Sequence, residues 1–342
     1  MYEFKTIEDV GTNAWDKFVL STPNGSIHQI SQWKKLQESV PSRGMVIGWA
    51  ALKQSEIVAC CLVVRMNTGV GKTDWYYAGR GPVFTDRKAA EFLLEAISAE
   101  LRSRTEAMFW RFDPYILKED MPLSTGALSV KPAVQNYHPP DTVILDLTRG
   151  PTSLLAELKK KRRYDVRSAL KAFQIEVITA KNVKPQDIDD FYRLMTGTAG
   201  QNKFSPHPKK YFADFVHELG DYTTLWFARD AKNRVATSIL TVCRDKAIYY
   251  FAALTTDVAV RKKNPSHAIV WKQIEYATER KAKTFDLLGV APTDASASHP
   301  YAGITVFKEG FGGQRVSYQS GVEVSLRPIS HALYRLAKRI KQ

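Results

Sequence analysis

Ala247-Ile-Tyr-Tyr-Phe-Ala-Ala253 opens the stretch that decides the fold, which runs from Lys246 to Gly313. This apolar, aromatic run reads as a buried strand. A basic loop, Arg261-Lys-Lys-Asn-Pro-Ser-His267, leads into Ala268–Lys281, where apolar residues recur at helical spacing. Thr284-Phe-Asp-Leu-Leu-Gly289 is a second short strand, and the stretch closes on Val306-Phe-Lys-Glu-Gly-Phe-Gly-Gly313. Strand, Pro-containing turn, helix and strand make one β-α-β unit. The active centre is expected here, with Lys308 as its principal charge. Lys308 stands between Phe307 and Phe311, ahead of glycines at 310, 312 and 313 that let backbone approach a ligand closely.

Working outward, Thr223–Arg229 and Arg234–Cys243 form a hairpin about Asp230-Ala-Lys-Asn233. The order is therefore strand, strand, strand, helix, strand. The same order occurs roughly 180 residues earlier, without evident sequence identity. There, Met45–Leu52 and Glu56–Met66 alternate as a hairpin, and Trp75–Pro82 is the third strand. Ala90, Leu93, Leu94, Ile97 and Leu101 mark an amphipathic helix, and Ala107–Pro114 is the last strand. Strand-rich units with one returning helix predict an α+β fold.

The residues Tyr249-x-Phe251-Ala-Ala253, Pro265 with Trp271 and Ile274, Phe285–Gly289 and Phe307–Gly313 together resemble the second half of the Fem-type (FemX/FemAB-like) aminoacyltransferases. The resemblance covers nearly the whole chain and is strongest over 246–313. It implies two GNAT-like acyltransferase subdomains side by side, and transfer of an amino acid from aminoacyl-tRNA to a peptidoglycan precursor. Its critical lysine falls on Lys308, and its strand tyrosine on Tyr250 or Phe251. Its entrance helix, whose lysine meets sugar-nucleotide phosphates, is matched by Gln29, Trp33 and Lys35, with Lys34 as the alternative register. Its basic boundary signature is matched by Lys161, Arg163 and Val166, and its conspicuous tyrosine by Tyr211. The arginine expected near position 201 is replaced by Gln201, with Lys203 two residues on. The substrate-binding set is then Trp33, Lys35, Arg163, Lys203, Tyr211 and Gly312. No long charged heptad segment interrupts the second half, so the chain resembles the compact form without a helical arm for tRNA.

The 342 residues fit two domains. Thr148-Arg-Gly-Pro151 marks the boundary, giving a first domain over 1–146 and a second over 147–316, and the resemblance implies that 317–342 returns to complete the first. Ser153 is the expected cap of one helix running to about Phe173 and carrying Lys159-Lys-Lys-Arg-Arg163. That run reads either as a solvated face or as a phosphate-binding one. Lys plus Arg exceed Asp plus Glu by 14, which points to RNA, a nucleotide-sugar diphosphate or an anionic membrane surface. The N-terminus lacks the pattern of a signal peptide, and no run approaches the roughly 20 apolar residues of a membrane span. Three cysteines in apolar strands suit a reducing compartment, the cytoplasm.

No Cys nucleophile, GxSxG elbow or Cys/His metal spacing is present, and Gly69-Val-Gly-Lys-Thr73 lacks the first glycine of a phosphate loop. Neither metal nor cofactor is expected. What remains is direct acyl transfer to an amine, in which an already activated ester needs only alignment and oxyanion stabilisation. Lys308 serves that charge or packs as a structural stem over its two phenylalanines. Expected partners are aminoacyl-tRNA, UDP-MurNAc-pentapeptide or lipid II, and peripherally the inner membrane face, with the protein a monomer. The alternative donor, acyl-CoA, would need a glycine-lined pyrophosphate loop, and residues 261–267 contain no glycine.

Overall fold

The computed structural model describes residues 1–67, 74–202 and 204–340. The stretch Gly69–Thr73 and Lys203 lie outside the described residues. The first unit starts with β1 (Glu3–Thr6), α1 (Ile7–Val10), α2 (Thr12–Ser21) and α3 (Ser31–Glu38). Then come β2 (Val46–Lys53), β3 (Glu56–Asn67), β4 (Asp74–Gly79), β5 (Val83–Phe84), α4 (Arg87–Arg104), β6 (Phe109–Asp113) and β7 (Val130–Pro132). The second unit runs β8 (Asp141–Asp146), α5 (Gly150–Glu157), α6 (Lys160–Ala172), β9 (Gln174–Thr179), α7 (Pro185–Asn202) and α8 (Lys209–Leu219). It continues with β10 (Thr223–Arg229), β11 (Arg234–Cys243), β12 (Lys246–Leu254), α9 (Val258–Arg261), α10 (Pro265–Glu279), β13 (Thr284–Asp286), α11 (Ala302–Glu309) and β14 (Gln314–Ser317). The chain ends on β15 (Val322–Ser325) and α12 (Pro328–Ile340), which belong to the first unit.

The units are Met1–Pro140 with Ser317–Gln342, and Asp141–Val316. The boundary falls six residues before the expected 146/147, because β8 pairs with β13 (Asp286 opposite Ile144) and so joins the second sheet. In the first unit the strand order is β1-β2-β3-β4-β6-β15-β7, with β5 on β3; in the second it is β14-β8-β13-β12-β11-β10-β9. Among the described residues the longest helices, α4 and α7, have 18 residues each.

Local chemistry explains the elements. Asp86 caps α4 by accepting from the Ala89 amide, and Leu93, Leu94, Ile97 and Leu101 bury the predicted face against β2 and β3. Gln54 and Ser55, both at positive φ, make the two-residue turn between β2 and β3. α10 begins after Asn264 in the left-handed region, with Pro265 at its first position. Its Ala268, Ile269, Val270, Trp271, Ile274 and Ala277 share one core with Tyr249, Phe285 and Phe311.

One expected helix is two. The chain is extended at Leu158 (ψ 142°), where the side chain enters the core, so α5 stops at Glu157 and α6 starts at Lys160. Ser153 lies inside α5 and does not cap it.

Candidate active site

β12 and β13 pair in parallel only through Lys246–Ile248 and Thr284–Asp286. Beyond that point β12 continues to Leu254, while the other segment turns through Leu288 at positive φ (55°). The two strands therefore part at their carboxyl ends, the place where sheets of this kind open to ligands. On the β12 side the ladder with β11 shifts register between Ile239 and Leu240: Phe251 pairs with Ile239 and Tyr249 with Leu240. Tyr250 is the extra residue of a β-bulge, a device that re-aims side chains beside functional sites.

The bulge breaks the alternation that a regular strand would impose on Tyr249, Tyr250 and Phe251. Tyr249 is buried in the core, where burial pushes its hydroxyl pKa up. Tyr250 and Phe251 are half-buried neighbours, ring centroids 4.8 Å apart, and both meet Phe215 at 4.9 and 5.3 Å. Tyr211 joins them, 6.5 Å from Phe251 and 4.2 Å from His207. α8 and the bulge thus form one aromatic wall, which brings together three of the expected site residues.

Lys308 lies at the end of α11 and is 5% exposed. Its ammonium donates to the carbonyls of Leu288 (3.0 Å) and Gly289 (2.7 Å), where the chain leaves β13. Burial lowers its pKa to about 8, against a smaller upward pull from Asp286. Asp286 is itself buried, accepting from the Thr142 hydroxyl and the Leu288 amide. Lys308 is thus neither an exposed cation nor a stem lying only on phenylalanines. Phe307 and Phe311 pack instead beneath Arg162, whose guanidinium carbon is 5.7 and 5.1 Å from their centroids and which meets His267. The sequence places Arg162 in the basic run and His267 at the end of the basic loop, but not beside each other; they come together only through the α6–α10 packing.

Arg163 and Gly312, also of the second unit, have other neighbours. Arg163 donates to the carbonyls of Ala156 (2.5 Å) and Leu158 (3.3 Å), capping the end of α5. Gly312 (φ 80°) lines a cleft of about 520 Å³ with Arg149, Leu154, Glu157 and Phe311. Gly313 (φ 86°) is required there, because a Cβ would sit 2.6 Å from the Ile144 carbonyl oxygen.

In the first unit, Gln29 is fully buried. It donates to the Gly79 carbonyl (2.8 Å) and accepts from the Leu62 amide (2.7 Å), bridging β3 and the end of β4. Gln29→Met leaves both backbone groups buried and unpaired, so urea denaturation should show a loss of about 2–4 kcal/mol. Trp33 is buried edge-on to His28, 4.5 Å between centroids. Lys34 pairs with Glu38 and Glu8, whereas Lys35 is exposed. Ser31 does not cap α3 with its own hydroxyl; its amide and hydroxyl both donate to Asp16. Nearby, His28 contacts His138 (3.1 Å), which reaches Tyr77 (2.6 Å), and Tyr77 donates to Asp113. No spacing in the sequence marks that chain of polar groups.

Residues 10–135 match the model of the FemAB family, and residues 160–302 match the acetyltransferase (GNAT) domain. No curated protein sequence matches the chain. Among solved structures, the crystal structure of FemX shares the fold with a TM-score of 0.83 at 17% identity, covering 97% of this chain and all of that one. A tandem GNAT protein from the clavulanic acid biosynthesis pathway has a TM-score of 0.59 at 10% identity, over 95% of this chain and 99% of its own. The C-terminal domain of a putative lysylphosphatidylglycerol synthetase from Agrobacterium fabrum has 0.57 at 14%, over 96% and 95%. The FemAB match thus falls on the first unit and the GNAT match on the second, in a chain that shares the fold of FemX throughout.

Proposed function

We propose that the protein transfers an amino acid from aminoacyl-tRNA to an amine of a peptidoglycan precursor peptide, carried on UDP-MurNAc or on its lipid-linked form. The FemAB match over residues 10–135 supports the acceptor class. The observation that carries the donor reading is the start of α10, where an acyl-CoA enzyme would present backbone amides to a pyrophosphate. Pro265 has no N–H, and the His267 amide donates to the Asn264 carbonyl (2.9 Å). Arg261, Lys262 and Lys263 stand exposed or half-exposed before it, suited to polynucleotide phosphates instead.

The chemistry asks little of the protein. The acceptor amine attacks the ester carbonyl, a tetrahedral oxyanion forms, and the ribose hydroxyl leaves with a proton while the amine gives one up. An ammonium has three donors, and Lys308 engages two of them with the Leu288 and Gly289 carbonyls. The third is the one we assign to the oxyanion. Tyr211, Tyr250 and Phe251 offer an aromatic wall for the aminoacyl group, and Lys35 an exposed cation for precursor phosphates.

Of the basic run, Arg162 and Arg163 are engaged within the unit, while Lys159, Lys160 and Lys161 are exposed. Replacing these three lysines with Gln should weaken tRNA binding and lower the slope of log K against log salt by about 2–3. An unchanged slope, read by filter binding, returns the run to a solvated face. The reading as a whole is tested by giving the protein charged tRNAs with UDP-MurNAc-pentapeptide or its lipid-linked form. A parallel reaction contains acetyl-CoA. Mass spectrometry should find one added aminoacyl residue on a precursor. Acetylation alone would move the protein to the acyl-CoA class.

A further inference from the structure

α12 is built inside out. The face it turns toward the first unit is polar or aromatic. His331 is buried against Glu323 (3.0 Å) and stacks on Phe109 (4.5 Å), and Tyr334 packs on Phe109 (4.8 Å). Arg335 reaches Glu323 and the Pro132 carbonyl, and Lys338 lies 5.8 Å from the Tyr334 ring. On the opposite face stand Ile329, Leu333, Leu336 and Ile340, exposed to 80%, 63%, 57% and 78%. Steps of four, three and four residues place these side chains in one stripe along the helix. A helix that needed only to pack would put that stripe inward. Here four large aliphatic side chains are held in water by a polar anchor.

The charge around the stripe selects its occupant. From Arg327 to Ile340 there are four basic residues, Arg327, Arg335, Lys338 and Arg339, and no Asp or Glu. Arg339 is exposed at the edge of the stripe. Arg327 donates to the carbonyls of Arg102 and Thr105 (both 3.0 Å), which sets the exposed Arg102 beside the start of the helix. A second copy would bring like charge against like charge, on a chain that already carries a net +14. An aliphatic stripe flanked by Arg and Lys is suited to lie in the plane of a lipid surface, with its apolar face among the acyl chains. No helix among the described residues is long and apolar enough to cross a membrane.

We propose that α12 is a membrane-docking helix, which seats its Ile329–Leu333–Leu336–Ile340 stripe in a bilayer surface rich in anionic lipid. The proposal stands apart from the identity of the acyl donor.

The test is co-sedimentation of the full chain with vesicles of phosphatidylcholine alone, and of phosphatidylcholine with about one-third phosphatidylglycerol. The protein should pellet with the anionic vesicles and less so with the neutral ones. L333S/L336S should weaken that binding by about tenfold for each side chain it keeps out of the bilayer. Arg339→Gln should weaken it several-fold and reduce its salt sensitivity. Both variants should melt like the parent, since the altered side chains face solvent. Three outcomes overturn the proposal: no sedimentation with either vesicle, equal binding by L333S/L336S, or a dimer in sedimentation velocity that this variant dissolves.

Discussion

Lys308→Met should lower turnover by about 10²–10³, the scale for losing one preorganised oxyanion donor. Binding of the precursor should change much less, because the oxyanion proposed for Lys308 arises mainly in the transition state. The geometry also sets a cost in stability. Methionine leaves the carbonyls of Leu288 and Gly289 without their donor, worth about 2 kcal/mol, partly offset by removing a buried charge. Thermal melting and steady-state kinetics therefore separate the two roles. A purely structural lysine gives a lower melting temperature with normal turnover at low temperature.

The pH dependence gives a second handle. The Lys308 pKa is lowered from 10.5 to about 8 by burial, and that of Lys246 likewise. The native state gives up these protons before the unfolded chain does, so stability rises with pH between about 8 and 10.5 and is lowest below 8. Turnover should move the other way, falling as pH rises through about 8 and the cation is lost. A pH–rate profile on the parent, with that limb missing in the residual activity of Lys308→Met, is the expected pair of results.

Glu323→Ala should be the most destabilising single change in the first unit. Glu323 lies fully buried on β15 and accepts from Arg111 (2.5 Å), which is also fully buried, and from Arg335, and it pairs with His331. Removing the carboxylate strands the Arg111 charge, a cost of about 3–5 kcal/mol, against a total of roughly 5–15 for a domain. Urea denaturation reads the loss. Burial pushes the Glu323 carboxyl up, but hydrogen bonding from His331 and the Arg111 charge outweigh it and hold the pKa at about 2. The stabilisation is complete above pH 4.5 and drains away as pH falls toward 2. Glu323→Gln should accordingly lose less stability than the parent across that acid range.

What the sequence discloses and what it hides divide by range. The β-α-β core at 246–289 is legible because its apolar runs are local and each element is bounded by turn formers. The doubled order of strands and helix is legible for the same reason. The bulge at Tyr250 is not, since an extra residue in one strand shows only against the register of its partner. The bonding of Lys308 is also hidden, because its carbonyl partners lie 19 and 20 residues away. Arg163 carried the right charge for phosphate, yet the break at Leu158 gives it two carbonyls to cap. α12 shows the limit of periodicity most plainly. Spacing alone does not say which of its faces is buried: the buried Glu323 draws His331 and Arg335 inward and turns the leucines out.

The most direct measurement of where transfer happens is a crystal structure with an adenosine whose 3′ position carries an amide-linked amino acid, a stable stand-in for the charged end of tRNA. The aminoacyl carbonyl should lie within hydrogen-bond distance of the Lys308 Nζ, with its side chain against Tyr211, Tyr250 and Phe251. Density for the analogue in the cleft lined by Arg149 and Gly312, away from the Lys308 ammonium, would contradict the assignment of the reaction to the split between β12 and β13.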